Sequence, residues 1–124
     1  MASEHTFTRS LTISSTAGDG LSSVVQVSGG LPVALIVSST WTAADITFQA
    51  SPIGSATFHD LADFAGVVVQ STAVVAGQWQ NLDASVFAGI DRLKVRSGTS
   101  TGLAQAATRT LTLVCLERDD KGSR

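Results

Sequence analysis

The run Asp45-Ile46-Thr47-Phe48-Gln49-Ala50-Ser51-Pro52-Ile53-Gly54-Ser55 decides the fold. Ile46, Phe48 and Ala50 alternate with Thr47 and Gln49, the period of two that marks a strand with one buried face. Ser51 to Ser55 then reads as a hairpin loop, because proline presets a turn and glycine accepts positive φ. Ala56 to Leu61 returns as a second strand, with Phe58 as its large apolar residue. A strand followed by a turn of this kind recurs along the whole chain.

Upstream, Thr6 to Ser14 alternates so that Phe7, Leu11 and Ile13 share one face. Ala17-Gly18-Asp19-Gly20 is a turn, and Leu21 to Ser28 follows as a strand ended by Gly29-Gly30. Leu31 to Ser38 is more continuously apolar, as suits a strand central to its sheet. Downstream, His59 to Ala65 is expected to make one helical turn before Gly66. Val67 to Val75 is the most β-branched stretch and is read as one strand, ended by Ala76-Gly77. Trp79 and Leu82 begin an apolar approach to Phe87 and Ile90. Arg92 to Ser97 places Leu93 and Val95 inward and Arg92, Lys94 and Arg96 outward. Gly98 to Ala107 is a loop with a turn of helix near Leu103 to Ala107. Arg109 to Glu117 is the last strand.

Eight or nine short strands with turn signals between them predict an all-β domain, a single antiparallel β-sandwich of jelly-roll-like form. The sandwich spans residues 6–117, residues 1–10 form an N-terminal arm leading into the first strand, and residues 118–124 form a polar tail. No window carries an apolar stripe at helical spacing.

The composition excludes several classes. Of 124 residues 44% are hydrophobic and 15% charged, against about 25% charged in an average soluble domain. This is not the profile of a disordered chain. A net charge of −2 gives no basic excess for nucleic acid. The longest apolar run, Leu31 to Val37, contains Pro32 and falls far short of the roughly 20 residues of a membrane-spanning helix. Residues 1–6 lack the basic and apolar regions of a secretory signal, so synthesis in a cytoplasm without a signal peptide is expected. The one cysteine, Cys115, lies between Val114 and Leu116 and reads as a buried small hydrophobe.

Chemistry-bearing motifs are not found. His5 and His59 have no neighbour at metal-ligand spacing. Asp60 and Asp63 supply two oxygens-bearing groups where calcium loops bring more, and Asp60 is expected to cap the turn that follows it. There is no Gly-x-x-x-x-Gly-Lys phosphate loop. Asp19, Asp45, Asp60, Asp83 and Asp91 sit at turns or strand entries, where aspartate serves local hydrogen bonding. No catalytic, metal or cofactor residue is expected. Trp41 and Trp79 admit two readings: stacking platforms for a glycan, or seals at the ends of the core with each ring N–H on a carbonyl. Arg92, Lys94 and Arg96 read as a solvated row that protects against aggregation or meets an acidic partner surface. The low charge suits a surface covered by other copies of the chain.

Residues 41–51 (Trp-Thr-Ala-Ala-Asp-Ile-Thr-Phe-Gln-Ala-Ser), Thr57-Phe58-His59-Asp60-Leu61, Phe87 to Gly98 (Phe-Ala-Gly-Ile-Asp-Arg-Leu-Lys-Val-Arg-Ser-Gly) and Gln105 to Leu113 together resemble small β-sandwich proteins of tailed bacteriophages. In that family the first block is a strand hairpin, and the strand in the third ends in an Arg-Ser-Gly turn. Here the hairpin carries Pro52-Ile53-Gly54 where an acidic residue commonly precedes the glycine. The resemblance implies a virion role, of capsid decoration (cement) or head-fibre type. A decoration protein would bind the assembled head through the major capsid protein and its own copies, as a homotrimer on the virion surface. Met1, Ala2, Ser3, Glu4 and His5, ordering as an arm, with Arg92, Lys94 and Arg96, are the expected contacts. The alternative is a carbohydrate-binding module of a fibre, using Trp41 and Trp79.

Overall fold

A computed structural model describes residues 5–14, 18–27, 30–99 and 102–117. Among these residues nine strands form, in chain order β1 (Thr6–Ile13), β2 (Val25–Gln26), β3 (Gly30–Ile36), β4 (Ala44–Ser51), β5 (His59–Asp60), β6 (Gln70–Val74), β7 (Trp79–Asn81), β8 (Arg92–Ser97) and β9 (Arg109–Glu117). One sheet has the order β1-β9-β3-β7, and the other has β2-β8-β4 with β5 and β6 both on the far side of β4. Every pairing is antiparallel. The chain crosses between sheets at each connection except those from β4 to β5 and from β5 to β6. With β5 and β6 counted as one interrupted edge strand, this is the eight-stranded, two-sheet order of a jelly roll. The antiparallel sandwich expected from the sequence is therefore the fold.

The inward residues of the two sheets make one core. Leu11 and Ile13 of β1, Leu35 of β3, and Leu111, Leu113 and Cys115 of β9 face Ile46 and Phe48 of β4 and Leu93 and Val95 of β8, all fully buried. Phe48 meets Phe87 edge to face, with ring centroids 5.1 Å apart, a geometry that adds to plain burial. Strand β3 is flanked on both sides, as its continuous apolar character requires. It bulges between Pro32 and Ala34, where the proline cannot donate to the ladder.

Four local expectations are corrected. Leu21 to Ser28 is not a continuous strand: bridges at Leu21 and Ser22 precede the two-residue β2, and Ser28 lies outside the described residues. Serine side chains replace the missing rungs. Ser22 donates its N–H to Val95 O (2.8 Å) and accepts from Val95 N at Oγ (2.9 Å). Ser23 does the same with Thr12, at 2.9 and 3.2 Å. The pair thus ties the two sheets together at one corner. Second, residues 59–65 hold no helical turn, and strand β6 starts at Gln70 rather than Val67. Third, residues 103–107 hold no helical turn, with bends only at Ala106 and Ala107, whereas a 3-10 turn appears at Ala84–Phe87, capped by Asp83. Fourth, the turn after β4 begins at Pro52, whose carbonyl accepts from Ser55 N at 3.3 Å, with Gly54 at φ +81°. The N-terminal arm residues Met1 to Glu4 and the tail, residues 118–124, lie outside the described residues.

Candidate assembly surface

The interruption between β5 and β6 has a definite shape. Leu61 N still donates to Phe48 O (3.0 Å), after which the chain leaves the sheet and returns at Val69, whose N–H donates to Leu61 O (2.9 Å). Between them Ala62 bridges Val68, Asp63 N donates to Val67 O (2.8 Å), and Gly66 N donates to Asp63 O (2.9 Å). The Asp63 carboxylate accepts from Ala65 N (2.9 Å) and Val67 N (3.0 Å) through the same Oδ1. Gly66, at φ +82°, completes the reversal. Residues 61–69 are thus a miniature hairpin, stiffened at its tip by an aspartate turn.

This finger points apolar groups at solvent. Phe64 is fully exposed (105%), and Val67 and Val68 are exposed beside it. Asp63-Phe64-Ala65-Gly66 between two apolar runs is the sequence signal for it, overlooked because the valines of residues 67–69 extend the β-branched run of β6. Asp63, and not Asp60, is the residue that caps a turn here.

The rest of the β5–β6–β7 side has the same character. Val75, in the β6–β7 connection, is exposed, and Trp79 of β7 is 55% exposed. The Trp79 ring N–H donates to Asn81 Oδ1 (2.8 Å), two residues along the same strand face. Between the finger and the 3-10 turn lies a cleft of about 290 Å³, lined in part by Phe64, Val68, Val69 and Val86, with Asp63 and Asp83 at its wall. From Leu61 to Asp91 the sequence holds three aspartates and no Lys, Arg or His. Exposed apolar side chains gathered at a cleft, as Phe64 and Val68 are here, mark interaction sites in soluble proteins.

The basic row is laid out differently from the expectation. On the outer face of its sheet Arg92, Lys94 and Arg96 of β8 pair with Ser51, Gln49 and Thr47 of β4. Arg92 and Lys94 are half-buried, and Arg96 is buried (4% exposed), not outward in solvent. Arg96 Nε donates to Thr47 Oγ1 (2.8 Å) and Nη1 to Asp60 Oδ1 (2.9 Å). The Lys94 ammonium lies 4.6 Å from the centroid of the Phe58 ring, a cation–π contact. Arg92 is 3.7 Å from the buried Asp91. Two of the three expected contact residues therefore remain at the surface. Among the other expected contacts, His5 is exposed.

Trp41 is a core residue (4% exposed) whose ring N–H finds no acceptor among the described residues, so the carbonyl expected for it is not among them. The two tryptophans do not form a shared platform: Trp41 is enclosed and Trp79 is open. Asp60 accepts from Gln49 Nε2 (3.0 Å) as well as from Arg96. The Gln49 bond and the Arg96 guanidinium outweigh partial burial and hold its carboxyl below the usual carboxylate range. Asp60 thus has protein donors, and Asp63 is taken by its own turn.

The solved structure of the SPBc2 prophage-derived protein YomS shares this architecture. The two superpose with a TM-score of 0.54 at 12% sequence identity, over 91% of this chain and 96% of that one. At that identity the likeness is one of fold. No family model and no curated protein matches the chain.

Among the described residues no three His, Cys, Asp or Glu side chains come together to hold a metal ion. No helix is long and apolar enough to cross a membrane. Cys115 is buried in β9, and burial pushes its thiol up to about 11. Among the described residues, the exposed side formed by the finger, β6 and β7, without a cation from Leu61 to Asp91, and the half-buried basic row are the surfaces with a distinct chemistry.

Proposed function

We propose that this chain is a non-enzymatic structural protein of a bacteriophage virion, a capsid decoration protein that binds the assembled head and its own copies. The observation that carries the reading is Phe64, held fully exposed on a finger that the Asp63 turn stiffens. An aromatic ring kept out of the core on a braced support suits a protein whose surface is completed by another protein. The phage setting is supported by the resemblance of residues 41–61 and 87–113 to small phage β-sandwich proteins. The jelly-roll likeness to a prophage-derived protein supports it too. The mechanism would be mechanical. Apolar area buried against the major capsid protein, and between copies arranged as a trimer on the virion surface, must be exposed again before the shell can rupture. That raises the free energy of shell failure by roughly 25 cal/mol for each Å² so buried.

The test is binding of the purified chain to expanded heads of the phage that encodes it, lacking their own copy, followed by heating. The expected result is saturable binding with a raised rupture temperature, both reduced in Phe64→Ser. Failure to bind such heads overturns the reading. The carbohydrate alternative now rests on Trp79, since Trp41 is enclosed; glycan-array binding lost in Trp79→Ala would favour it.

A further inference from the structure

We infer that copies of this chain associate head to tail, the β5–β6–β7 side of one against the β1 edge of the next. The inference rests on the self-association in the reading above and names the two surfaces that meet. The first surface is apolar and acidic. Phe64, Val67 and Val68 project beside a cleft whose walls include Asp63 and Asp83, and no cation occurs between Leu61 and Asp91. At about 290 Å³ the cleft lies at the lower limit of the roughly 300–1,000 Å³ of pockets for drug-sized ligands. It offers a seat for a protein side chain rather than for a metabolite.

The second surface is on the opposite edge of the sandwich and has the opposite charge. Strand β1 is the outermost strand of its sheet, with β7 at the other margin. From His5 to Ser14 it carries Arg9 and His5 and no acidic residue. Arg9 shares its strand face with Phe7, Leu11 and Ile13, yet it is exposed because the two-residue β2 does not reach over it. Its guanidinium lies 4.5 Å from the centroid of the half-buried Phe7 ring. A cation over an apolar ring at one edge thus answers carboxylates around an apolar cleft at the other. As an edge strand with one charge, β1 also turns a backbone row outward for pairing over the part ahead of Thr12, which Ser23 already serves.

Charge selects the arrangement. A two-fold contact of finger side on finger side would oppose aspartates, and β1 on β1 would oppose arginines; such like-charge contacts are disfavoured. The heterologous contact pairs unlike charges, and it closes into a ring where the rotation between copies permits.

The experiment is light scattering of the purified full chain at high micromolar concentration, with Phe64→Arg and Arg9→Glu. Both side chains are exposed, and unchanged thermal midpoints would show that the variants fold; Phe64→Ser and Arg9→Gln replace either one that does not. The wild type is expected at a multiple of the 12.8 kDa chain, and each variant alone at the mass of one chain. An equimolar mixture is expected at two chains, because Arg9→Glu retains an intact finger side and Phe64→Arg an intact β1 edge. A monomeric wild type, variants that stay assembled, or a mixture that stays monomeric would each overturn the inference. Head binding by a monomeric wild type would leave the virion reading standing, and assembly without head binding would do the reverse.

Discussion

Arg96 and Asp60 form an ion pair, 2.9 Å between Nη1 and Oδ1, in which the arginine is buried and the aspartate side chain is 41% exposed. The guanidinium is incompletely served, since Nη2 is buried without a partner among the described residues. That asymmetry makes the two residues unequal under mutation. Removing Asp60 strands a buried cation, whereas replacing Arg96 by an apolar side chain removes the cation and its desolvation cost together. Asp60→Ala is expected to cost about 2 kcal/mol, and Arg96→Met to stay within about 1 kcal/mol of the wild type. Urea unfolding of both variants checks the order; equal losses would contradict it.

The same pair carries a pH dependence. Bonds from Gln49 and Arg96 lower the Asp60 pKa in the folded state. The unfolded chain therefore binds the proton first, and the stabilisation is complete above the unfolded value of about 3.9. It is lost as pH falls from there through the folded value. With the side chain partly in solvent the contribution is under about 1 kcal/mol. Asp60→Asn is expected to narrow its stability gap to the wild type as pH drops from neutral into that window. A gap that is constant with pH would exclude the linkage.

Gln105 is a buried connector between two loops. Its Oε1 accepts from Thr42 N (2.8 Å), and its Nε2 donates to Thr42 O (3.0 Å) and Ser97 Oγ (2.9 Å). Gln105→Leu keeps much of the volume, removes both bonds to the Thr42 backbone, and takes its donor from the buried Ser97 hydroxyl, at about 1–3 kcal/mol for such a buried group. A loss of roughly 2–4 kcal/mol in chemical denaturation is expected, larger than for Gln70→Leu at the exposed Asp45 contact.

How far the residues announced this structure depends on which force shaped each part. Strands β1, β4, β8 and β9 follow the apolar alternation, because their inward residues are what the core buries. Arg96 also alternates with Leu93 and Val95 as an outward residue should, and it is on the outer face. It is buried because Thr47 and Asp60, both distant in sequence, bond it there. Periodicity carries no information about that. The finger was hidden for a related reason: exposed Val67 and Val68 have the same β-branched character as a buried strand, and only the Asp63 turn separates them from β6. The surface proposed for assembly is thus written in side chains that, taken alone, look like core.

Cys115 is fully buried in β9, and burial lifts its thiol to about 11. The nucleophilic thiolate is therefore scarce in the folded state at neutral pH. A small disulfide reagent is expected to label the native protein at the rate of its opening and the urea-unfolded protein at once. Because the unfolded thiol ionises near 8.5, stability is expected to begin falling above that pH and to level off past the folded value. Cys115→Ala should remove that alkaline component while costing about 1–2 kcal/mol for the cavity left behind.

Gly98 closes the strand β8 where the chain turns toward residue 103. Its φ is +97°, its N–H donates to Asp45 O at 2.6 Å, and Thr47 Oγ1 donates to its carbonyl at 3.0 Å. A Cβ placed there would sit 2.7 Å from Leu103 N and 2.8 Å from Gly102 C, both backbone atoms that cannot swing aside. Gly98→Ala thus combines an unfavourable φ with a clash against fixed chain. The expected cost is about 3 kcal/mol, a fall of roughly 10 °C in Tm for a domain of this size. Gly54→Ala, at φ +81° with open space around it, carries the φ penalty alone and is expected to lose about 1 kcal/mol. Thermal unfolding of the two variants separates strain from steric exclusion; equal losses would mean that the backbone at Gly102 and Leu103 yields to accommodate the methyl group.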